Sequence, residues 1–372
     1  MQVLGLISGT SLDGIDSALV AITEAEGKLV WQLQAARTFP YPPDLRALLL
    51  AVADGQPLSL AELAAVDDRV AMAFSQVVHT YLQAGATIDV IASHGQTVFH
   101  RPPKGDLGYS LQLGRGAVMA QQTGIVTVAN FRRADIEAGG EGAPLVPLVD
   151  WLLLTDARQD RVVQNIGGIS NLTFLPAGAR AEEVIGFDNA PGNVLLDRAA
   201  QLLLGTSYDR EGATARQGRV DLDLCQAWLA HPFFALSPPK STGRELFDQA
   251  FFANCWQQAQ ERGLGVADFL ATVTELTARG IAMSYQRFLP RLPQEVLVCG
   301  GGSRNLYLLH RLAQLLYPAV VTTTDAYGLP ADYKEAIAFA VLGYWRLQGR
   351  EGNLPQVTGA KRSVLLGEIH LP

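Results

Sequence analysis

The sequence predicts an α/β protein built from two domains, and three observations carry that prediction. Apolar β-rich runs lead into small-residue turns at three places, helical periodicities lie between them, and the strand–turn–strand layout of Val3–Ile22 returns at Val162–Leu175. Strands alternating with helices argue for layered α/β architecture, and a layout repeated at long range is what a duplicated domain leaves behind, unlike a short-period solenoid. A chain of 372 residues is also long for a single core.

The first place reads VLGLISGTSLDGIDSALVAI. Val3–Ile7 and Ala18–Ile22 look like hairpin strands, yet the segment between them holds two glycines, four hydroxyl residues and two aspartates, more than a two-residue turn needs. Small residues with free backbone N–H groups form a concavity for anions. An aspartate beside it would repel a bare phosphate but suits one that carries a divalent cation. The expectation is a loop for a metal-bound nucleotide, with Asp13 at its tip either a turn former or a metal-bound group, and Asp16 a turn residue at the start of a strand.

A helical stretch, Ala61–Gly85, comes next, then the short strand DVIAS running into HGQTVFH. His94 and Gln96 follow a buried strand among hydrogen-bonding neighbours, which allows either substrate contact or a satisfied structural role; His100 reads as surface. Arg132–Pro147, rich in Gly and Pro, is the expected crossover between halves. The second place, RVVQNIGGISNLTFL, pairs strands Val162–Ile166 and Leu172–Leu175 around Gly167 and Gly168.

In GFDNAPGN, Asp188 ends an apolar run and faces a helix start near Val194. That is where open α/β sheets place reactive groups, and equally where an N-cap or Asx-turn aspartate sits. PKSTGRELF gathers Lys240, Ser241, Thr242 and Arg244 before a helix, either a clamp for phosphate or carboxylate or a solvated helix start. A helical pattern covers Val266–Phe288. The third place, EVLVCGGGSRN, runs a strand, Val296–Cys299, through Gly300, Gly301 and Gly302 into a helix with leucines at 306, 309, 312 and 316. A helix N-terminus adds to such a turn's attraction for anions. The last helix, Lys334–Gly349, opens with Glu335, a favourable charge at that end, and stops at glycine. No element is assigned to the tail from Asn353.

Composition narrows the function classes. A net charge of −7 without a basic run argues against nucleic acid. Three scattered cysteines form neither a disulfide framework nor a metal cluster, and Cys299 reads as a small buried apolar residue. With neither a signal-peptide pattern nor an apolar span of membrane length, the expectation is a cytoplasmic protein with no membrane partner. None of the glycine turns fits the P-loop or dinucleotide pattern.

Together these segments resemble the 1,6-anhydro-N-acetylmuramic acid kinase family of the sugar kinase, Hsp70 and actin superfamily. The resemblance rests on GLISGTSLDGID, ASHGQTVFH, ANFRRADIEAGGEGAPLVP, NIGGISNL, GFDNAPGN, PKSTGRE and VLVCGGGSRN, in that order. It implies two ribonuclease-H-like domains with a nucleotide cleft between them, here expected at 1–133 and 134–372, with the last helix packing back on the first. It implies ATP and Mg²⁺, a homodimer, and a reaction that uses water and ATP to open the anhydro ring and phosphorylate O6 in peptidoglycan recycling. Another sugar kinase of the superfamily, or a non-enzymatic actin- or Hsp70-like protein, is the alternative.

By the same resemblance Gly9, Thr10, Ser11, Leu12, Asp13, Gly14, Ile15 and Asp16, with Gly167 and Gly168, form the phosphate hairpins. Asp13 is the metal-side residue, and Gly300, Gly301, Gly302 and Asn305 lie by the adenosine. Asp188 becomes the general base and Glu335 a second active-site carboxylate, while His94, Gln96, Arg132 and Arg133 face the substrate. Two positions depart from the family pattern: Asn189 stands where Thr or Cys is usual and Ala190 where glycine is. Alanine is poorly tolerated at positive φ, so the backbone there is expected either to be ordinary or to have shifted.

Overall fold

The computed structural model describes residues 1–9, 12, 14–25, 27–53, 55–103, 107–242 and 246–372. Its strands are β1 (Gln2–Ser8), β2 (Ile15–Ala25), β3 (Lys28–Phe39), β4 (Val90–Arg101), β5 (Tyr109–Leu113), β6 (Thr127–Ala129), β7 (Arg161–Ile166), β8 (Ser170–Leu175), β9 (Ile185–Ala190), β10 (Glu295–Cys299), β11 (Val320–Thr323) and β12 (Glu368–His370). The α-helices are α1 (Pro43–Ala53), α2 (Leu60–Gln83), α3 (Gly116–Thr123), α4 (Arg133–Glu137), α5 (Pro147–Leu154), α6 (Val194–Ala199), α7 (Leu222–Leu229), α8 (Gln249–Glu261), α9 (Val266–Phe288), α10 (Leu306–Leu315), α11 (Lys334–Leu347) and α12 (Pro355–Thr358).

The chain divides into two compact units, Met1–Leu153 joined by Tyr333–Pro372, and Leu154–Asp332. In the first, the sheet order is β12-β6-β4-β1-β2-β3, with β5 added to β4. β1, β2 and β3 form an antiparallel meander, whereas β4 lies parallel to β1 and β6 parallel to β4. In the second, the order is β11-β10-β7-β8-β9. Again three antiparallel strands, β7 to β9, are extended by β10 parallel to β7 and by β11 parallel to β10. Along both sheets the third, second, first and fourth strands are followed by one further parallel strand, β6 in the first and β11 in the second, the ribonuclease-H-like order, and the repeated sequence layout marks a repeated topology.

Alternation along β1 sets the layers of the first unit, because successive strand residues point to opposite faces. Leu4 and Leu6 join Val70, Phe74 and Val78 of α2 in one core. Ser59 starts that helix, accepting the Glu62 amide while the Glu62 carboxylate accepts the Ser59 amide. Gly5 faces the other way, where a Cβ would lie 1.9 Å from the Ala336 carbonyl oxygen. Only glycine lets α11 approach β1 so closely. The second unit buries Val162, Phe174 and Phe187 against Ile281 and Tyr285 of α9 and Leu308 of α10.

The domain boundary expected after residue 133 is replaced by one after Leu153, and all of Tyr333–Pro372, not only its helix, joins the first unit. The reason lies at Asp135, which is 0% exposed. Its Oδ2 accepts the Gly142 amide at 2.8 Å, and its Oδ1 accepts Asn353 Nδ2 at 2.6 Å and Thr358 Oγ1 at 2.7 Å. One buried carboxylate thus folds the Gly-rich segment Arg132–Pro147 onto the tail within a single unit. The tail, to which the sequence assigned nothing, ends in β12 beside β6.

Candidate active site

Three sequence-distant segments meet at the end of β7 in the second unit. The Gly167 carbonyl accepts the Asn193 amide at 2.8 Å and the Gly168 carbonyl accepts the Val194 amide at 3.0 Å, so the turn after β9 lies along the turn after β7. Asn193 Nδ2 donates to the Ile166 carbonyl at 3.0 Å. Gly192 permits this contact with φ +59°, because a Cβ would sit 2.5 Å from the Gly167 oxygen. Gly192→Ala should therefore cost about 1–3 kcal/mol of stability and push residues 191–194 off the Gly167–Gly168 turn; thermal unfolding and nucleotide titration check it, and unchanged values would contradict it.

The glycine turn after β10 closes on the same place. Gly302 is buried against Ile166, and the Gly300 amide donates to the Ala331 carbonyl at 2.9 Å. Asn305 caps α10, its Oδ1 accepting the Leu308 amide at 3.0 Å. Gly167 and Gly301 present open backbone: a Cβ on either would meet nothing nearer than 3.5 Å and 3.6 Å, respectively. These turns therefore suit close approach of a phosphate-bearing ligand to backbone.

Asp188 is 8% exposed at the C-terminal end of β9. Its Oδ2 accepts the Thr242 amide at 2.7 Å, and its own amide donates to the Lys240 carbonyl at 3.1 Å. Residues 240–242 thus run alongside β9 and fix the carboxylate. The two departures that follow Asp188 now have a physical account. Ala190 is in β9, buried, without positive φ, so the backbone is ordinary. Asn189 is 0% exposed; its Nδ2 donates to Gln164 Oε1 at 2.9 Å and to Ser284 Oγ at 3.2 Å, while its Oδ1 accepts Ser170 Oγ at 2.9 Å. A larger amide in place of Thr or Cys satisfies a buried polar network next to Asp188 in β9.

In the first unit, Gly9 and Leu12 close the turn after β1, the Leu12 amide donating to the Gly9 carbonyl at 3.2 Å. Leu12 takes φ +57° with its side chain 2% exposed in the core, and its carbonyl accepts Arg46 Nε at 2.9 Å. A left-handed non-glycine residue pinned this way is local strain held by packing. Gly14 abuts the Phe39 carbonyl, Ile15 is in the core, and Asp16 Oδ1 accepts Thr38 Oγ1 at 2.6 Å. Thr10, Ser11 and Asp13 lie outside the described residues, as does Arg244.

The polar group on β4 is built around His94, which is 5% exposed and rests on the Phe339 ring at 4.6 Å. Burial, then the Arg132 charge, holds it well below the usual histidine range. The neutral ring accepts Arg132 Nε at Nε2 over 3.0 Å, which assigns the proton to Nδ1, facing the Gly95 carbonyl. Gln96 Oε1 accepts the buried Tyr41 hydroxyl at 3.4 Å. The two adjacent arginines part company: Arg132 goes to His94, whereas Arg133, 66% exposed, pairs with Glu137 and Glu368. His100, read as surface, is half-buried, and burial followed by Arg132 lowers it to about 4.

Glu335 stands in the first turn of α11. Burial raises its pKa, with Lys334 and Arg132 opposing and Asp150 adding to the rise. Next to it, Lys334 and Asp150 form a buried ion pair at 2.6 Å, with side chains 4% and 3% exposed. Among the described residues no cluster of three or more His, Cys, Asp or Glu is arranged for a metal ion, and no helix is long and apolar enough to cross a membrane.

The comparisons with known proteins agree along the whole chain. The model of the family described as anhydro-N-acetylmuramic acid kinase matches residues 1–372. The chain is 52% identical to the enzyme of that name from Trichormus variabilis, over 99% of this chain and 97% of that one. It is 52% identical to the one from Rippkaea orientalis and 54% identical to the one from Acaryochloris marina, each over 100% of both chains. A motif order matched from end to end, at more than half of all positions, leaves one assignment: the chain belongs to the anhydro-N-acetylmuramic acid kinase family.

Proposed function

We infer that this chain opens 1,6-anhydro-N-acetylmuramic acid with water and phosphorylates O6 from ATP, giving N-acetylmuramic acid 6-phosphate in peptidoglycan recycling. Asp188 is the observation that carries the mechanistic reading. It is a buried carboxylate with one oxygen fixed by a backbone amide, near the end of β9, whose following turn bonds to the Gly167–Gly168 turn.

Opening an acetal at its anomeric carbon builds oxocarbenium character, and an activated water on the opposite face is the fitting nucleophile. Asp188 takes the proton from that water as the C1–O6 bond breaks, and the freed O6 accepts the γ-phosphoryl group. Transfer of that group depends mainly on positioning and charge neutralisation, which the backbone amides of the glycine turns suit. Arg132, oriented by neutral His94, pairs with the lactyl carboxylate, and Glu335, whose carboxyl pKa is raised by burial, orients the sugar or the water. Mg²⁺ at Asp13 would offset phosphate charge; no step here depends on it. A cytoplasmic homodimer completes the reading.

Incubation with ATP and the anhydro sugar in ¹⁸O-water tests it. The expected product is the 6-phosphate carrying label at C1. Unlabelled C1, or turnover of glucose or N-acetylmuramic acid instead, would point to an ordinary sugar kinase.

A further inference from the structure

Behind Asp188 sits a lysine for which the reaction as written has no use. Lys240 is 6% exposed, although a lysine side chain ordinarily carries its charge out to water. Its Nζ lies 4.6 Å from the Phe233 ring centroid, 4.8 Å from Phe288 and 5.7 Å from Phe187, and donates to the Phe233 carbonyl at 3.2 Å. Three ring faces and a carbonyl are an environment for a cation. A purely structural plug at this position would be served as well by an apolar chain. The same residue's carbonyl receives the Asp188 amide, and two residues on, the Thr242 amide binds the Asp188 carboxylate.

We propose that Lys240 is a positioning residue for the base: caged among Phe187, Phe233 and Phe288, its ammonium anchors residues 240–242 along β9 and holds a positive charge within electrostatic reach of the Asp188 carboxylate. The inference rests on the reading of Asp188 as base. The charges that bear on Lys240 come from two elements. Asp188 on β9 favours the ammonium, and Arg287 on α9 opposes it; the turn at 232–235 presents the Phe233 ring and carbonyl. Burial outweighs Asp188 and lowers the lysine to about 8. Turnover should therefore fall on an alkaline limb near that pH as the charge is lost.

Two variants and one control test this. In Lys240→Met the cage stays filled and the charge goes; kcat is expected to fall at least about tenfold, with the acidic limb of the pH–rate profile moved up by about one pH unit, the effect of removing a nearby opposite charge. In Lys240→Arg the charge no longer titrates, so the acidic limb stays and the alkaline limb disappears. A Lys240→Met enzyme with wild-type kcat and limbs overturns the proposal, as does a Lys240→Arg enzyme that keeps the alkaline limb. The arginine variant decides alone if the methionine variant does not fold. Asp188→Asn separates the two readings: if it remains active the base assignment fails, whereas if it is inactive and both lysine variants behave as wild type, only the role of Lys240 fails.

Discussion

Replacing Asp188 with asparagine should lower kcat by about 10²–10⁴-fold, the usual contribution of a positioned general base, and leave ATP affinity unchanged. The carboxamide fills the same space, and its oxygen can still accept the Thr242 amide, so the segment 240–242 keeps its place along β9. What is lost is proton affinity. The glycine turns that would carry the phosphates are held by backbone bonds from Asn193 and Val194, which the substitution does not touch. Single-turnover kinetics and calorimetric titration with a non-hydrolysable ATP analogue separate the two quantities. A variant that keeps its rate to within tenfold would remove Asp188 from the chemistry, whatever its burial.

Lys334→Met should destabilise the protein by about 3–5 kcal/mol, because it leaves a carboxylate buried without its cation. Lys334 and Asp150 are both nearly inaccessible, at 4% and 3%, and their 2.6 Å contact joins α11 to α5 within the first unit. The pair as a whole is worth far less than that figure, since desolvating two charges offsets most of their attraction. Lys334→Met with Asp150→Asn should accordingly recover much of the loss. Urea unfolding of the two variants measures it, and a Lys334→Met protein within about 1 kcal/mol of wild type would contradict the burial argument. Turnover should fall too, since Lys334 immediately precedes Glu335 and its charge opposes the rise in that carboxyl's pKa.

The strands around the glycine turns were legible because each is a β-rich run, apolar at most positions, ended by small residues: β7 and β8 lie where Val162–Ile166 and Leu172–Leu175 placed them. Helices α2, α9 and α11 were legible through long apolar periodicity, and α11 also through the glycine at 349. The domain boundary was not, because Gly and Pro in Arg132–Pro147 signal a turn without saying whether it stays inside one unit. The answer came from Asp135 bonding to Asn353 and Thr358, a contact between residues more than two hundred apart. Distance in sequence also hid the cage of Lys240, whose rings come from β9, a turn and α9. Asn189 had a signal in its departure from the family pattern, yet its partners Gln164, Ser170 and Ser284 come from three other elements that only the fold brings together. His94 and Arg132 were picked separately; their hydrogen bond and the tautomer it sets need three dimensions.

The discontinuity of the first unit bears on how a nascent chain acquires its shape. Leu154–Asp332 is continuous and holds all five strands of its sheet, so it can complete its core while synthesis is still under way. The opening segment has no such independence: β1 lacks its α11 cover, and Asp135 lacks Asn353 and Thr358, until the final forty or so positions emerge from the ribosome. The half translated first is therefore the half that matures last, and a premature stop after Asp332 would leave a finished second unit tethered to an exposed, unsealed sheet.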